Sequence, residues 1–149
     1  MMREIRTILL AEDNPKDAEL TLMALGQHNL ANDVLWVRDG AAVVDYMYQR
    51  GEYADRPNGN PAVILLDLKM PKVDGMEALR TIRSDPDLRM TPVVILTSSR
   101  EERDVVESYS LGANAYVVKP VRFEEFVSAV GQLGMFWALV NEPPPDTAR

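Results

Sequence analysis

Short apolar runs alternate with amphipathic segments of helical length along most of the chain. The runs lie at about 5–10, 33–38, 62–67, 92–97 and 115–118. Their hydrophobic residues are nearly continuous rather than alternating, which is typical of strands that are buried on both faces of a sheet. The strict alternation of strands and helices therefore predicts an α/β fold, a doubly wound five-stranded parallel sheet with right-handed crossovers.

Five helices are predicted after the five strands, at 15–28, 41–50, 74–83, 101–111 and 123–140. Asn14 is a candidate N-cap of the first helix, and Pro15 suits its first helical position. Gly112 is expected to end the fourth helix. Residues 51–61 are rich in Gly, Pro and Asn, so this segment is expected to be a surface loop.

Length and composition limit how the protein is organised. A chain of 149 residues with 46% hydrophobic content fits one domain with one core. We expect residues 1–141 to form this domain, with no output domain, and residues 142–149 to be a disordered tail. The tail contains three successive prolines, 143–145, which cannot extend a helix.

Charge and hydropathy exclude several classes of protein. The formal charge of −7 argues against a nucleic-acid-binding surface, which needs a basic stripe. The absence of cysteine excludes disulfides and thiolate metal sites. No apolar stretch approaches the roughly 20 residues of a membrane span, and the N-terminal residues run into the first predicted strand without room for a signal peptide. We therefore expect a cytoplasmic protein that does not contact a membrane.

Polar side chains follow or close four of the predicted strands. Glu12 and Asp13 follow the first strand, Asp67 closes the third, Thr97 closes the fourth, and Lys119 follows the fifth. The carboxyl ends of parallel strands converge on one crevice, so we expect these side chains to lie together. Carboxylates this close repel by roughly 4 kcal/mol per pair at an effective dielectric near 20, so a compensating cation is expected. Oxygen-only ligands suit Mg²⁺, and the ammonium and hydroxyl suit a phosphoryl group.

Each of these residues also has an ordinary structural explanation when it is taken alone. The sequence Glu12-Asp-Asn-Pro15 is typical of a strand-to-helix turn. Asp67 and Thr97 each suit a cap of the helix that follows, and Lys119 suits a solvated strand end. Their joint pattern favours the functional interpretation. Trp36, by contrast, is assigned only to packing in or near the core.

Five separate motifs, in order along residues 5 to about 135, resemble the receiver domain of two-component response regulators. They are Glu12-Asp13, Asp67-Leu-Lys-Met-Pro-Lys-Val-Asp-Gly75, Thr97-Ser98, Tyr116 and Lys119-Pro120. Residues 50–55 and 85–89, together with Phe136-Trp137, look like the stand-alone regulators that accompany bacterial phytochrome kinases. The first resemblance implies the (βα)5 flavodoxin-like receiver fold. Most receivers have two aspartates where this chain has Glu12-Asp13.

The resemblance implies a role for each residue of the site. Asp67 would be the phosphoacceptor, Thr97 and Lys119 would bind the phosphoryl oxygens, and Tyr116 would turn inward when Thr97 moves. Four groups would hold the Mg²⁺ cofactor: Glu12, Asp13, Asp67 and the backbone carbonyl of Lys69. The partner would be a histidine kinase, with a bacteriophytochrome as the candidate. The protein would not be an enzyme, apart from catalysing its own phosphoryl acceptance and slow autodephosphorylation.

Three other classes compete with this interpretation. Phosphatases of the haloacid dehalogenase type need a second acid two residues after the nucleophilic aspartate, and this chain has Lys69 there. A dinucleotide or flavin carrier needs a glycine-rich turn after the first strand, and Glu12-Asp-Asn-Pro15 contains no glycine. A pseudo-receiver that binds partners without being phosphorylated stays open as the alternative.

The last predicted helix is longer than the sheet requires. Its first half already has a face that covers the sheet, formed by Phe123, Phe126, Val127 and Val130. The segment Met135-Phe-Trp-Ala-Leu-Val140 continues beyond this face and is apolar. Because an exposed apolar patch marks an interaction surface, we expect a homodimer through Phe136, Trp137 and Val140. The alternative is that this segment folds back onto its own domain.

Overall fold

A computed structural model describes residues 6–30, 33–57 and 59–145 of the protein. Five parallel strands form one sheet in the order β2-β1-β3-β4-β5. They are β1 (Ile8–Ala11), β2 (Val34–Val37), β3 (Val63–Leu66), β4 (Val93–Thr97) and β5 (Ala115–Val118). This topology confirms the predicted doubly wound parallel sheet, and its strand order is that of the flavodoxin-like folds.

Each strand is followed by an α-helix. The helices are α1 (Pro15–Gly26), α2 (Gly40–Met47), α3 (Gly75–Ser84), α4 (Glu102–Ser110) and α5 (Phe123–Gly134). Asn14 caps α1 through its side chain, and Pro15 is the first helical residue, as predicted. Asp39 and Asp74 cap α2 and α3 in the same way. Gly112, with a φ of 98°, lies just after α4 and confirms the predicted end of that helix.

The three central strands carry the core of the protein. Every residue of β1, β3 and β4 is buried, whereas β2 and β5 at the sheet edges are mostly half-buried. Successive side chains of a strand point to opposite faces, so the sheet has two apolar layers. Leu9 packs in the layer beneath α2 and α3, and Leu10 packs in the layer beneath α1 and α5. The polar side chains at the ends of β1, β3 and β4 are therefore attached to strands that are fully buried in the core.

The second helix and the loop after it differ from the prediction. α2 ends at Met47 rather than at residue 50, because Gln49 adopts the left-handed backbone conformation with a φ of 55°. The chain then forms a short 3-10 turn at Gly51–Tyr53 inside the predicted loop. Arg56 fixes this loop, since its Nε donates to the carbonyl of Tyr46 at 2.8 Å and its guanidinium lies 4.0 Å from the Tyr46 ring centroid.

The helix predicted over 123–140 has these bounds in the structure, but its last six residues are not α-helical. α5 ends at Gly134, and the chain continues as a π-helix, Met135–Val140, which we call the C-terminal extension. A π turn holds more residues than an α turn, which changes the direction of the side chains that follow. Ala138 is buried, and Trp137 packs against the same apolar layer as α1 and α5. Phe136 and Val140 are exposed, at 47% and 66%.

The predicted tail is only partly described. Residues 142–145 follow the C-terminal extension, and the carbonyl of Pro144 accepts a hydrogen bond from Arg6 at 3.3 Å. Residues 146–149 lie outside the described residues, so the expectation of a disordered tail stays a prediction. Among the described residues, no helix combines the length and the hydropathy that crossing a membrane requires.

Candidate functional site

The polar side chains singled out in the sequence meet at the carboxyl ends of the strands. Glu12 directly follows β1, Asp67 directly follows β3, Thr97 is the last residue of β4, and Lys119 directly follows β5. Backbone hydrogen bonds continue the sheet into these positions. The amide of Asp67 donates to the carbonyl of Ala11 at 3.1 Å, and the amide of Lys119 donates to that of Thr97 at 2.8 Å. The sheet itself therefore fixes the spacing of the functional groups.

The Lys119 ammonium joins the carboxylates of the site. It is 8% exposed, and it donates to Glu12 Oε1 at 2.5 Å, to Asp17 Oδ2 at 2.8 Å and to Asp67 Oδ2 at 3.0 Å. An ammonium has three N–H donors, so each donor reaches a different carboxylate. Lys119 therefore offsets part of the repulsion that the sequence predicts among these acidic groups.

The second oxygen of Asp67 has its own donors. Asp67 Oδ1 accepts a hydrogen bond from Thr97 Oγ1 at 2.9 Å and from the backbone amide of Lys69 at 3.3 Å. Thr97 is fully buried, whereas Lys69 is exposed. The structure thus brings Asp67, Thr97 and Lys119 together in one contact group. Their roles toward a phosphoryl group, and that of the Lys69 carbonyl toward a metal, stay predictions.

Three carboxylates form a set that can hold a metal ion. Glu12, Asp13 and Asp67 each offer an oxygen, and these oxygens lie within 4.8 Å of one another. Glu12 and Asp67 are buried, whereas Asp13 is exposed and borders solvent. A set of oxygen donors that is open to water on one side fits a hard divalent cation, because Mg²⁺ keeps several of its waters in proteins. The residues present therefore fit the cofactor that the sequence resemblance implies.

The environment of the site shifts the pKa of two of its groups. Burial raises the pKa of Glu12 from its ordinary value of 4.5 to about 7; a hydrogen bond from Lys119 opposes this shift and the charge of Asp67 adds to it. Burial by itself lowers the pKa of Lys119, but hydrogen bonds to Asp17 and Glu12 outweigh burial and raise that pKa above its ordinary value. Lys119 is therefore protonated at neutral pH, where Glu12 titrates.

Tyr116, the predicted switch residue, is connected to Asp67 through neighbours. The Tyr116 hydroxyl donates to the backbone carbonyl of Ser99 at 3.1 Å. The amide of Ser99 donates to Thr97 Oγ1 at 3.4 Å, and its hydroxyl donates to Asp104 Oδ2 at 2.5 Å. A chain of hydrogen bonds therefore runs from Asp67 through Thr97 and Ser99 to Tyr116. Asp104 is absent from the residues predicted for the site.

Two further residues contact the site that the sequence analysis did not predict to do so. Asp17 lies in the first turn of α1 and reaches Lys119, as described above. Trp36 of β2 donates from its indole Nε1 to the backbone carbonyl of Glu12 at 2.7 Å, in addition to packing against the apolar layer. The sequence offers only a weak signal for Asp17, because an acidic residue in the first turn of a helix is common for reasons of the helix dipole. For Trp36 we find no signal beyond its hydrophobicity.

The backbone after Asp67 packs tightly against the start of α3. A Cβ atom on Gly75 would lie 2.1 Å from the carbonyl oxygen of Asp67 and 2.7 Å from the Cα of Leu68. The amide of Gly75 donates to the carbonyl of Leu68 at 2.9 Å. The glycine of the Asp67–Gly75 motif is therefore required by close approach of the two backbones.

The chain matches one protein family over most of its length. The family profile described as "Response regulator receiver domain" matches residues 8–131. Among curated proteins, "Response regulator Rcp1" from Synechocystis sp. is 39% identical over 132 residues, which cover 89% of this chain and 88% of that protein.

Solved structures show the same similarity in three dimensions. The Mn²⁺-bound form of Rcp1 has a TM-score of 0.86 at 37% identity, over 94% of this chain and 99% of that one. The phosphorylated cyanobacterial phytochrome response regulator RcpA has a TM-score of 0.88 at 38% identity, over 95% of this chain and 100% of that one. The bacteriophytochrome response regulator RtBRR is 58% identical with a TM-score of 0.76, over 95% of this chain and 86% of that one. The similarity therefore extends over nearly the whole chain.

Proposed function

The chain belongs to the response regulator receiver domain family, and on this premise we propose that Asp67 accepts a phosphoryl group from a histidine kinase with Mg²⁺ as cofactor. The observation that carries the proposal is the pair of contacts to Asp67. One of its oxygens accepts from Thr97 and the other accepts from Lys119. A buried carboxylate with a hydroxyl and an ammonium at either side is suited to attack a phosphorus atom, because donors are already placed for the phosphoryl oxygens.

The chemistry follows from the positions of these groups. An Asp67 oxygen attacks the phosphorus of a phosphohistidine, a P–O bond forms, and the P–N bond breaks with its electron pair passing to the imidazole. Lys119 and Thr97 then donate to the equatorial oxygens of the phosphoryl group. Glu12, Asp13 and Asp67 would hold Mg²⁺, which would supply positive charge to offset that of the phosphoryl group. Phosphoryl transfer needs mainly positioning and charge stabilisation, so this set of groups is sufficient.

The output is proposed to be a shift between two conformations. Phosphorylation gives Thr97 a new acceptor, and the hydrogen-bond chain described above connects Thr97 with Tyr116 through Ser99. A phosphoryl group that binds better to one position of Thr97 favours the conformer that has this position. The face formed by α4, β5 and α5 would then carry the signal.

The relatives suggest the kind of kinase. RcpA is described as a cyanobacterial phytochrome response regulator and RtBRR as a bacteriophytochrome response regulator. RtBRR is 58% identical to this chain over the aligned residues. We propose on this basis that the phosphoryl donor is a phytochrome-type histidine kinase. Transfer assays with candidate kinases, with phytochrome-linked kinases tested first, would identify it.

A homodimer through the C-terminal extension is a second part of the proposal. Phe136 and Val140 are the exposed apolar residues of this extension. Trp137 holds Phe136 in an edge-to-face contact, with ring centroids 5.1 Å apart and an interplanar angle of 87°. Aromatic side chains that are fixed in this way are typical anchors of protein interfaces.

Replacement of Asp67 by asparagine tests the acceptor. Asp67→Asn has nearly the same shape but cannot form an acyl phosphate, so we expect it to fold and to remain unlabelled by acetyl phosphate and Mg²⁺. Phos-tag gels and intact mass measure the labelling. Asp55→Asn, which removes an exposed carboxylate from the surface loop, is the matched control and should label like the wild type.

Two results would contradict the proposal. Full labelling of Asp67→Asn at another residue would show that the acceptor is assigned wrongly. A wild type that stays unlabelled by acetyl phosphate and by kinases would favour the pseudo-receiver, which binds partners without being phosphorylated.

A further inference from the structure

Asp17 is an acidic partner of Lys119 that lies outside the metal and acceptor groups. Its carboxylate accepts from Lys119 Nζ at 2.8 Å, yet it does not belong to the set of Glu12, Asp13 and Asp67 that can hold a metal. It comes from α1 rather than from a strand end. Asp17 thus binds the functional ammonium without having a part of its own in the chemistry proposed above.

The local structure of α1 fixes the position of Asp17. The helix begins at Asn14, whose Oδ1 accepts from the amides of Lys16 at 2.9 Å and Asp17 at 3.3 Å. This cap fixes the first turn of α1, and the contact between Asp17 and Lys119 joins that turn to the end of β5. The Asp17 side chain is 30% exposed and borders a groove that Lys119 and Phe123 also line. Removing its charge therefore changes an ion pair at the edge of the site rather than the packing of the core.

The number of donors on Lys119 makes the contact with Asp17 competitive. All three N–H donors are used by Glu12, Asp17 and Asp67. A phosphoryl group on Asp67 brings several new acceptor oxygens to Lys119, and the ammonium can give them more than the one donor that already points at Asp67 only by releasing another carboxylate. Asp17 is the carboxylate that neither the metal nor the phosphoryl group would engage, so it stays behind as a rival acceptor.

We propose that Asp17 is a positioning residue that competes with the phosphoryl group for Lys119 and thereby limits both the rate of phosphorylation and the lifetime of the phosphorylated state. This inference rests on the function proposed above. Asp17 also adds a negative charge near the path of an anionic phosphodonor. Loss of that charge lowers the repulsion of the donor and leaves a Lys119 N–H free for the phosphoryl oxygens. Both effects are expected to raise the rate of phosphorylation.

The test uses Asp17→Asn, which keeps the shape of the side chain and removes its charge. Glu19→Gln is the matched control, because Glu19 is exposed on the same helix and has no contact with Lys119. Each protein is labelled with acetyl phosphate and Mg²⁺; Asp67 gains the P–O bond and acetate leaves with the electron pair. We expect Asp17→Asn to be labelled roughly two- to five-fold faster than Glu19→Gln, as for a partly exposed ion pair. Its label should also be lost more slowly after removal of the donor.

Several outcomes are decisive. A faster reaction cannot result from simple damage to the fold, and Asp17→Glu should return the rate toward that of the wild type because it restores the charge. Equal rates for Asp17→Asn and Glu19→Gln, or a slower reaction of Asp17→Asn, would overturn the inference. The proposed function would stand in that case, provided that the wild type is labelled. If the wild type itself is not labelled, the proposed function fails, and the inference fails with it.

Discussion

At the scale of single residues, the buried ammonium of Lys119 offsets the negative charge of the three carboxylates that it contacts. Lys119 stays charged, so the group that responds to pH in the neutral range is Glu12. Its pKa in the folded protein is about 7, mainly because of burial, against an ordinary value of 4.5. Between these two values the folded protein holds a proton that the unfolded chain has lost. The contribution of Glu12 to stability is therefore complete at low pH and is lost as the pH rises through about 7.

This linkage predicts the pH dependence of the metal-free protein. In the presence of EDTA, the melting temperature of the wild type should fall between about pH 4.5 and about pH 7, and that of Glu12→Gln should fall less because its amide does not titrate. Thermal melts at several pH values measure both slopes. The control Glu19→Gln removes an exposed carboxyl and should keep the slope of the wild type. Identical slopes for Glu12→Gln and the wild type would show that Glu12 titrates as an ordinary carboxyl.

The site residues that can be predicted from the sequence are those whose position is set by the sheet. Asp67, Thr97 and Lys119 follow or close buried strands, and parallel strands bring such positions together wherever the helices lie. Asp17 and Trp36 contact the site from α1 and β2. Their contacts depend on how a helix is rotated and how an edge strand is turned, and the spacing of residues along the chain does not encode either orientation.

At the scale of elements, the start of α3 packs directly against the end of β3 because residue 75 has no side chain. The carbonyl of Asp67 occupies the space that a Cβ of Gly75 would need. Gly75→Ala should therefore force the helix away from the strand end and lower the free energy of unfolding by about 1–3 kcal/mol, the usual cost of overpacking. Denaturant titration measures this loss. Gly26→Ala, at the exposed end of α1, is the control and should change stability little.

A second readout separates strain from simple loss of stability. If α3 positions the backbone after Asp67, then Gly75→Ala should also be labelled more slowly by acetyl phosphate at a temperature where it is fully folded. An unchanged free energy of unfolding for Gly75→Ala would mean that the backbone relaxes freely and that the close contact has no structural importance.

The ends of elements were predicted well only where a local signal exists. Asn14, Pro15 and Gly112 mark helix ends by chemistry that acts within a few residues. The change from α5 to the C-terminal extension has no such local signal in the sequence. A Cβ on Gly134 would meet the side chain of Leu25 at 2.3 Å, so α5 lies very close to α1 where the π-helix begins. The sequence predicts that the apolar segment is helical but not how its residues are turned.

At the scale of the whole molecule, the exposed face of the C-terminal extension leads to a test of the dimer. Phe136→Ser should weaken the proposed homodimer about tenfold or more, as expected when an aromatic anchor is removed. Multi-angle light scattering over a range of concentrations measures the shift toward the monomer. Val121→Ser is the matched control, because Val121 is 94% exposed but lies outside the extension, and it should leave the mass unchanged.

The opposite result is equally clear. A wild type that has the mass of a monomer at high concentration, both with and without acetyl phosphate, would mean that the extension only packs against its own domain. The role of the extension would then be limited to the packing of Ala138 and Trp137 against the domain.

The contacts of Lys119 join residues that are far apart in the sequence, so the site forms only after these distant segments have come together. Lys119 and Glu12 are 107 residues apart in sequence, and Lys119 and Asp67 are 52 apart. The chain must close a long loop before contacts of such high sequence separation can stabilise the site. A nascent chain that has emerged only as far as β4 has its acidic groups but not their cation. A chain that lacks β5 therefore has Glu12 and Asp67 without the ammonium that both carboxylates contact in the folded domain.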